Sequence, residues 1–315
     1  LVEAQKEILK TQQRQLELFN TSLKDAFSRY LSPAVVDEII QDPSKLNLGG
    51  EKREMTAVFT DIQGFSTIAE QLEPAQLVSL LNLYLSTMSG IITENRGTID
   101  KYEGDAVVAF FGAPLHQENH AALACRSALQ MKEAEAMLNR RILEEQLSPL
   151  PIFTRIGINS GAMVVGNMGS ENKLNYTVMG NAVNLAARLE GVNKQYRTGG
   201  ILISEYTKSA IGDEFLCRSL DRVRVVGISS PLRIYEVTGF REGAAAESIE
   251  RLAAWEKAVE LFENRQFEQS EALFESLAKA EAGDTTARVY ISRCHAFIAA
   301  PPPDDWDGVN NLTQK

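Results

Sequence analysis

The sequence is poor in cysteine. Its 315 residues hold three, Cys125, Cys217 and Cys294. They lie far apart and form no CxxC pair, which excludes a disulfide framework and a zinc cage of the usual spacing. They read as reduced core thiols of a cytoplasmic domain. Histidine is as scarce, with three in the chain. His116 and His120 stand four apart, but they straddle a loop-to-helix boundary and have no third ligand, so they read as surface residues. No apolar run approaches the roughly 20 residues of a membrane-crossing helix, and no signal peptide is visible. Positive charge is in deficit too: 32 Lys and Arg face 42 Asp and Glu, for a net charge of -10. A nucleic-acid binder carries a basic patch, so DNA and RNA are excluded as partners. A nucleotide is not excluded, because a metal ion and a few placed cations do the local work.

What is present is an ordinary globular composition, with 44% hydrophobic and 23% charged residues. Residues 1–31 contain neither Gly nor Pro, and Val2, Leu9, Leu16, Leu23 and Tyr30 recur every seventh residue. Gln5, Gln12, Phe19 and Ala26 fill the second seam, which suits a short parallel coiled coil and a dimerising stalk. Because the chain opens at Leu1 inside this helix, an upstream sensor or membrane region is expected. Ser32-Pro33 breaks the pattern, a short helix through Ile40 follows, and residues 32–50 read as linker.

Residues 51–242 read as α/β. Strands are expected at Met55 to Ile62, Thr98 to Tyr102, Ala106 to Phe111, Phe153 to Asn159, Met163 to Gly166, Tyr176 to Met179, Ile201 to Ser204 and within Val223 to Val237. Helices are expected at Leu72 to Asn95, from Asn119 to about Leu147, and from Asn181. The order β-α-β-β-α-β points to a ferredoxin-like core in an α+β domain. Residues 243–315 read as a tetratricopeptide-like helix pair with an irregular tail. Such a unit cannot bury its apolar face alone, so it should pack on the core or on a partner.

Three blocks carry chemistry. Asp61 ends the first strand in Phe59-Thr60-Asp61-Ile62-Gln63-Gly64-Phe65-Ser66. There it offers hard oxygen to a metal, and the turn offers backbone N–H groups to a phosphate. Asp105 lies in the hairpin turn Lys101-Tyr102-Glu103-Gly104-Asp105, which would bring it beside Asp61. Two such carboxylates are what two-metal phosphoryl chemistry needs. Asn184 and Arg188 stand four apart in Asn181-Ala182-Val183-Asn184-Leu185-Ala186-Ala187-Arg188-Leu189, on one helix face, and suit a ribose and a phosphate. Singly, each block also has a bland reading as a turn cap, a surface acid or a solvated stripe.

Together, in this order and spacing, the blocks resemble the class III adenylyl/guanylyl cyclase catalytic domain. The resemblance implies conversion of a nucleoside triphosphate to its cyclic monophosphate, with two Mg2+ or Mn2+ ions per site. Asp61 and Asp105 match the family's metal aspartates, and the resemblance adds Ile62 to the metal set and Phe65 and Ser66 to the substrate contacts. The base-reading lysine, four residues before the second aspartate, matches Lys101, where guanylyl cyclases carry glutamate. The second base reader matches Thr177, the form found in the bicarbonate-responsive subclass, so bicarbonate is a candidate effector. Asn184 and Arg188 match the transition-state pair. By resemblance the metal acids come from one subunit and the other four residues from its partner, so a homodimer holds two complete sites. Lys101 as a donor suits adenine N1 and Thr177 as an acceptor suits the exocyclic amine, which makes ATP the expected substrate.

One departure stands out. Many relatives hold the terminal phosphates with a lysine in a VKGK-like string, where this chain has Val225-Val226-Gly227-Ile228. Arg222 or Arg224 is the candidate replacement. The competing readings are a guanylate cyclase, which Lys101 opposes, and a catalytically weak dimerisation or sensor module, which the four intact residues oppose. A diguanylate cyclase would need a GGDEF-like loop, and none is present.

Overall fold

The computed structural model describes residues 2–27, 35–36, 40, 42, 48–170, 173–224, 230–281 and 283–312. The Ser32-Pro33 break, most of the short helix expected after it, and the Val225 to Ile228 string lie outside the described residues. Helix α1 (Val2–Phe27) comes first. The described side chains along it are exposed, and its seam residues Leu9, Leu16 and Phe19 are 68%, 59% and 62% exposed. An apolar stripe left open to this degree is what a helix awaiting a partner shows.

The core follows as β1 (Gly49–Ile62), α2 (Phe65–Ala69), α3 (Pro74–Glu94), β2 (Thr98–Glu103), β3 (Ala106–Phe111), α4 (His120–Glu144), β4 (Thr154–Ser170) and β5 (Lys173–Met179). Then come α5 (Asn181–Tyr196), β6 (Ile201–Ser204), α6 (Glu205–Ile211), β7 (Phe215–Arg224) and β8 (Leu232–Phe240). The sheet runs β2-β3-β1-β4 and continues through β6, β8 and β7. Its first four strands have the ferredoxin-like order, and the rest extend it. Period-two alternation sorts β1 onto two faces. Val58 and Ile62 join Leu80, Tyr84, Met88 and Ile92 of α3 and Ala124, Cys125 and Ala128 of α4 in one core. Met55 and Ala57 face Val183 and Ala186 of α5 in another. Helix α3 is long and apolar enough by composition to cross a membrane, yet those four residues lie in the core.

Four expectations need correction. Gly49 and Gly50, read as linker, already belong to β1. The strands expected separately at Phe153 to Asn159 and Met163 to Gly166 are one unbroken strand through Ser160-Gly161, because β1 pairs with β4 from Gly49↔Asn167 to Ile62↔Thr154 and holds it extended. The hairpin partner is instead β5, aligned as Val164↔Met179 to Ser170↔Lys173. The C-terminal part holds three helices rather than a pair: α7 (Ala246–Glu263), α8 (Phe267–Ala280) and α9 (Thr285–Ala299). Its tail is not wholly irregular, since β9 (Val309–Asn311) adds to β7 in parallel.

Candidate active site

The close packing of α5 on β4 builds one half of the site. A Cβ on Gly157 would lie 2.2 Å from both Ala186 O and Glu190 N, so only glycine lets the helix approach this far. The approach brings Glu190 of α5 onto Arg155 of β4, with Arg155 Nε 2.8 Å from Glu190 Oε1. Register pairs Asp61↔Arg155, and Arg155 Nη2 donates to Asp61 Oδ2.

Asp105 follows the turn between β2 and β3 and reaches the same place. Its Oδ2 accepts from the Ile62 backbone N–H at 2.9 Å. Burial, followed by the neighbouring Asp61, pushes the Asp105 carboxyl up to about 6, against the Ile62 hydrogen bond. Glu190 is pushed up to about 7, by burial above all and then by Asp61 and Asp105, with Arg155 opposing. Asp61 and Glu190 thus share one guanidinium, with Asp105 beside Asp61, and such a deficit of positive charge suits a divalent cation. Among the described residues no group of three His, Cys, Asp or Glu forms a metal cage. Two carboxylates completed by substrate phosphates is how Mg2+ is usually held, so Asp61 and Asp105 fit the ion. Phe65 is half-buried against the main core where α2 begins, and Ser66 beside it is exposed.

The other residue set lies elsewhere on the chain. Lys101 on β2 is half exposed, and its Nζ is 3.5 Å from Asp100 Oδ2. The Asp100 side chain is only 4% exposed. Burial raises its pKa, and the Thr177 hydroxyl on β5 opposes this by donating to it. Asp100 therefore ties Lys101 and Thr177 together. Asn184 is exposed and Arg188 half-buried on α5. At about 100° per residue these two point roughly 40° apart, while Glu190 points about 200° from Arg188. The helix thus shows Glu190 to the acids of its own chain and presents Asn184 and Arg188 in another direction.

Arg222 and Arg224 are not at the acids. Arg222 Nη1 reaches Asp307 O at 3.4 Å, and Arg224 pairs with Asp307 at 2.9 Å and Asn311 at 3.0 Å, all in the tail. The cation at the acid pair is Arg155. The residues that sequence reasoning missed are Arg155, Glu190 and Asp100. Arg155 had a usable signal in retrospect, a lone cation alternating with small and apolar residues in a buried strand. Glu190 had none, because it falls off the Asn184–Arg188 stripe.

Residues 50–239 match the family described as "Adenylate and Guanylate cyclase catalytic domain". The chain is 37% identical over 214 residues to adenylate cyclase 1 of Rhizobium meliloti, covering 68% of this chain and 32% of that protein. It therefore spans about a third of that relative's length. Among solved structures it resembles the adenylyl cyclase CyaB from P. aeruginosa, at 38% identity and a TM-score of 0.58, covering 63% of this chain and all of that one. It also resembles the guanylyl cyclase Cya2, at 36% identity and a TM-score of 0.56, covering 62% and 97%. With this match across more than half its length, the chain belongs to the adenylate and guanylate cyclase catalytic domain family, class III.

Proposed function

We propose that the chain is an adenylate cyclase that converts ATP to 3′,5′-cyclic AMP and pyrophosphate in a homodimer with shared sites. The observation that carries this is the meeting of Asp61 and Asp105 at the Ile62 amide, beside a single guanidinium. Bound there, two Mg2+ or Mn2+ ions would lower the pKa of the ribose 3′-hydroxyl and hold the triphosphate. Asp61 and Asp105 hold those ions, with Ile62 at the same strand end. Arg155, in contact with Asp61, turns to the terminal phosphates, the task left open by the missing lysine. Phe65 and Ser66 line the phosphate side of the turn. Asn184 orients the ribose, and Arg188 neutralises charge growing at the α-phosphate. The 3′-oxygen forms a bond to the α-phosphorus, the bond to pyrophosphate breaks, and the hydroxyl proton leaves to solvent.

The two residue directions on α5 support a shared site. A helix that turns Glu190 to its own acids cannot turn Arg188 to them as well, so the acids need the Arg188 of a second copy. The open seam of α1 supports the same dimer. Adenine as the base rests on Lys101, Thr177 and Asp100. The Asp100 carboxylate accepts the Thr177 proton, which leaves the hydroxyl lone pairs for the adenine amine. A hydroxyl can otherwise donate as well as accept and would separate the two bases less sharply, and this bias removes that ambiguity. Bicarbonate as effector rests on Thr177 alone. A cytoplasmic site for the domain is supported by its free, buried cysteines.

Turnover of ATP and of GTP with Mn2+, in the wild type and in Lys101→Glu, tests the proposal. The wild type should favour ATP, and the variant should lose ATP turnover while gaining relatively on GTP. An unchanged ratio would remove Lys101 from base reading, and no cyclic product from either nucleotide would leave the dimerisation module as the reading.

A further inference from the structure

The C-terminal helices lie outside the family match, and the reaction as described does not use them. Their aromatic core is nonetheless continuous with the catalytic helix. Leu185, Leu189, Val192 and Tyr196, the apolar face of α5, are buried in one cluster with Trp255, Phe262, Phe274 and Tyr290 of α7, α8 and α9. At the end of α5 the contacts become polar and specific. Tyr196, 2% exposed, donates to Asp221 Oδ2 on β7 at 2.6 Å. Arg293 of α9 donates to the same oxygen at 2.7 Å. Asn310 of β9 donates to the Tyr196 hydroxyl at 2.9 Å. Arg197, the left-handed cap of α5, has its carbonyl taken by Thr285 Oγ1 at 2.5 Å and Thr286 Oγ1 at 3.2 Å.

We propose that residues 246–311 are a positioning clamp for the catalytic helix: Arg293, acting through Asp221 and Tyr196, and the Thr285–Thr286 pair on the Arg197 carbonyl set the angle at which α5 presents Asn184 and Arg188 to the nucleotide. This inference rests on the roles proposed above for those two residues. The physical reason is leverage. Arg188 lies eight residues, about 12 Å, from Tyr196 along a rigid helix, so a small tilt at the clamped end displaces the guanidinium. Near Arg188 itself, Gly157 leaves α5 flush against β4 without any side chain to lock its rotation. Asn193 ties the helix to β4 through the Ile156 carbonyl at 3.1 Å, and the clamp adds its contacts at the helix's last turn. Any partner or ligand that loosens the extension would therefore reach the active site through α5.

The test is a double-mutant cycle on the full chain. Arg293→Met keeps an unbranched side chain while removing the guanidinium that lies over Phe262 and Tyr290, and Asp221→Asn is added so that no lone carboxylate stays buried. The expected result is a fall of roughly 10- to 100-fold in kcat with little change in the KM for ATP, since a misplacement of about 1 Å costs up to that much. Arg293→Lys should retain most of the activity. In an Arg188→Ala background the same pair should cost less than about threefold, because the group it positions is gone. Equal factors in both backgrounds would mean that the clamp supports only folding, and would overturn the inference. So would a kcat unchanged by the pair. If the pair lowers the folded fraction, Thr285→Val with Thr286→Val, which removes two hydroxyls and no charge, decides by the same cycle. Full turnover in Arg188→Ala alone would remove the role of Arg188, and the clamp with it. A dead Arg188→Ala with equal factors removes the clamp only.

Discussion

Mixing two inactive variants should restore activity. In Asp61→Ala the acid pair of each subunit is broken, and in Arg188→Ala each α5 loses its cation. Losing one such preorganised group costs about 2.7–4 kcal/mol, or roughly 10²–10³ in rate. Glu190 faces the acids of its own chain and Arg188 points about 200° further round the helix, so the shared site proposed above takes its acids from one subunit and its Arg188 from the other. In a mixed dimer one site then collects both lesions and the second is intact. Random pairing of equal amounts makes about half the dimers mixed, each with one good site of two, so activity returns to roughly a quarter of wild type. Mixing Asp61→Ala with Asp105→Ala provides the control. Both lesions lie in the acid half, so every mixed site is damaged and no rescue is expected. The assay is cyclic AMP formation after co-expression or remixing, with subunit exchange verified by differently tagged chains. Activity no greater than the sum of the separate variants, with exchange verified, would refute the shared site. Rescue in the control pair would refute the grouping of the two acids.

The remaining predictions concern single residues. Asp105→Ala should abolish turnover at saturating Mn2+ while the dimer mass and circular dichroism stay unchanged, and near-normal turnover would rule out the two-metal site. Asp100→Ala frees the Thr177 hydroxyl to donate as well as accept, so the ATP-to-GTP ratio in kcat/KM should fall several-fold; a constant ratio would show that Asp100 does not bias Thr177. Glu190, held at about 7 in the fold against an ordinary value near 4.5, binds more protons folded than unfolded between those two values. Its contribution is therefore complete below about pH 4.5 and lost as pH rises through 7. Gln mimics the protonated acid, so in chelator-treated protein the unfolding free energy of Glu190→Gln should match wild type near pH 4 and exceed it near pH 8, by an amount on the order of 3 kcal/mol at most. A gap that does not widen with pH would show that Glu190 is not held protonated.

The strands and helices of the ferredoxin-like half were legible because each satisfies its local pattern. Leu80, Tyr84, Met88 and Ile92 repeat at helical spacing, and β1 alternates. The unbroken length of β4 was not legible. Ser160-Gly161 is a turn signal by local chemistry, and what overrides it is pairing with β1 along fourteen residues, a long-range fact. The tail was misread for a similar reason. Its residues 309–311 have no strand pattern of their own, yet the open edge of β7 supplies the missing hydrogen bonds.

The site divided along the same line. Asp61, Asp105, Asn184 and Arg188 announce themselves because each sits in a short string whose spacing carries the chemistry. Arg155, Glu190 and Asp100 act only through neighbours that folding supplies. Asp61 meets Arg155 by register, Glu190 reaches Arg155 because Gly157 lets the helix close, and Asp100 meets Thr177 because β2 and β5 converge. The missing phosphate-binding lysine is a case in point. A sequence search looks for a cation near the position of the lost one and finds Arg222 and Arg224, which the fold commits to the tail instead. Arg155, the cation we propose in its place, lies about seventy residues upstream, on a strand placed beside Asp61 by the sheet. An electrostatic requirement fixes how much charge a site needs and where in space, but not where in the chain. Residues that meet such a requirement are therefore found by geometry, while those that touch the reacting atoms in a fixed local frame are found by spacing.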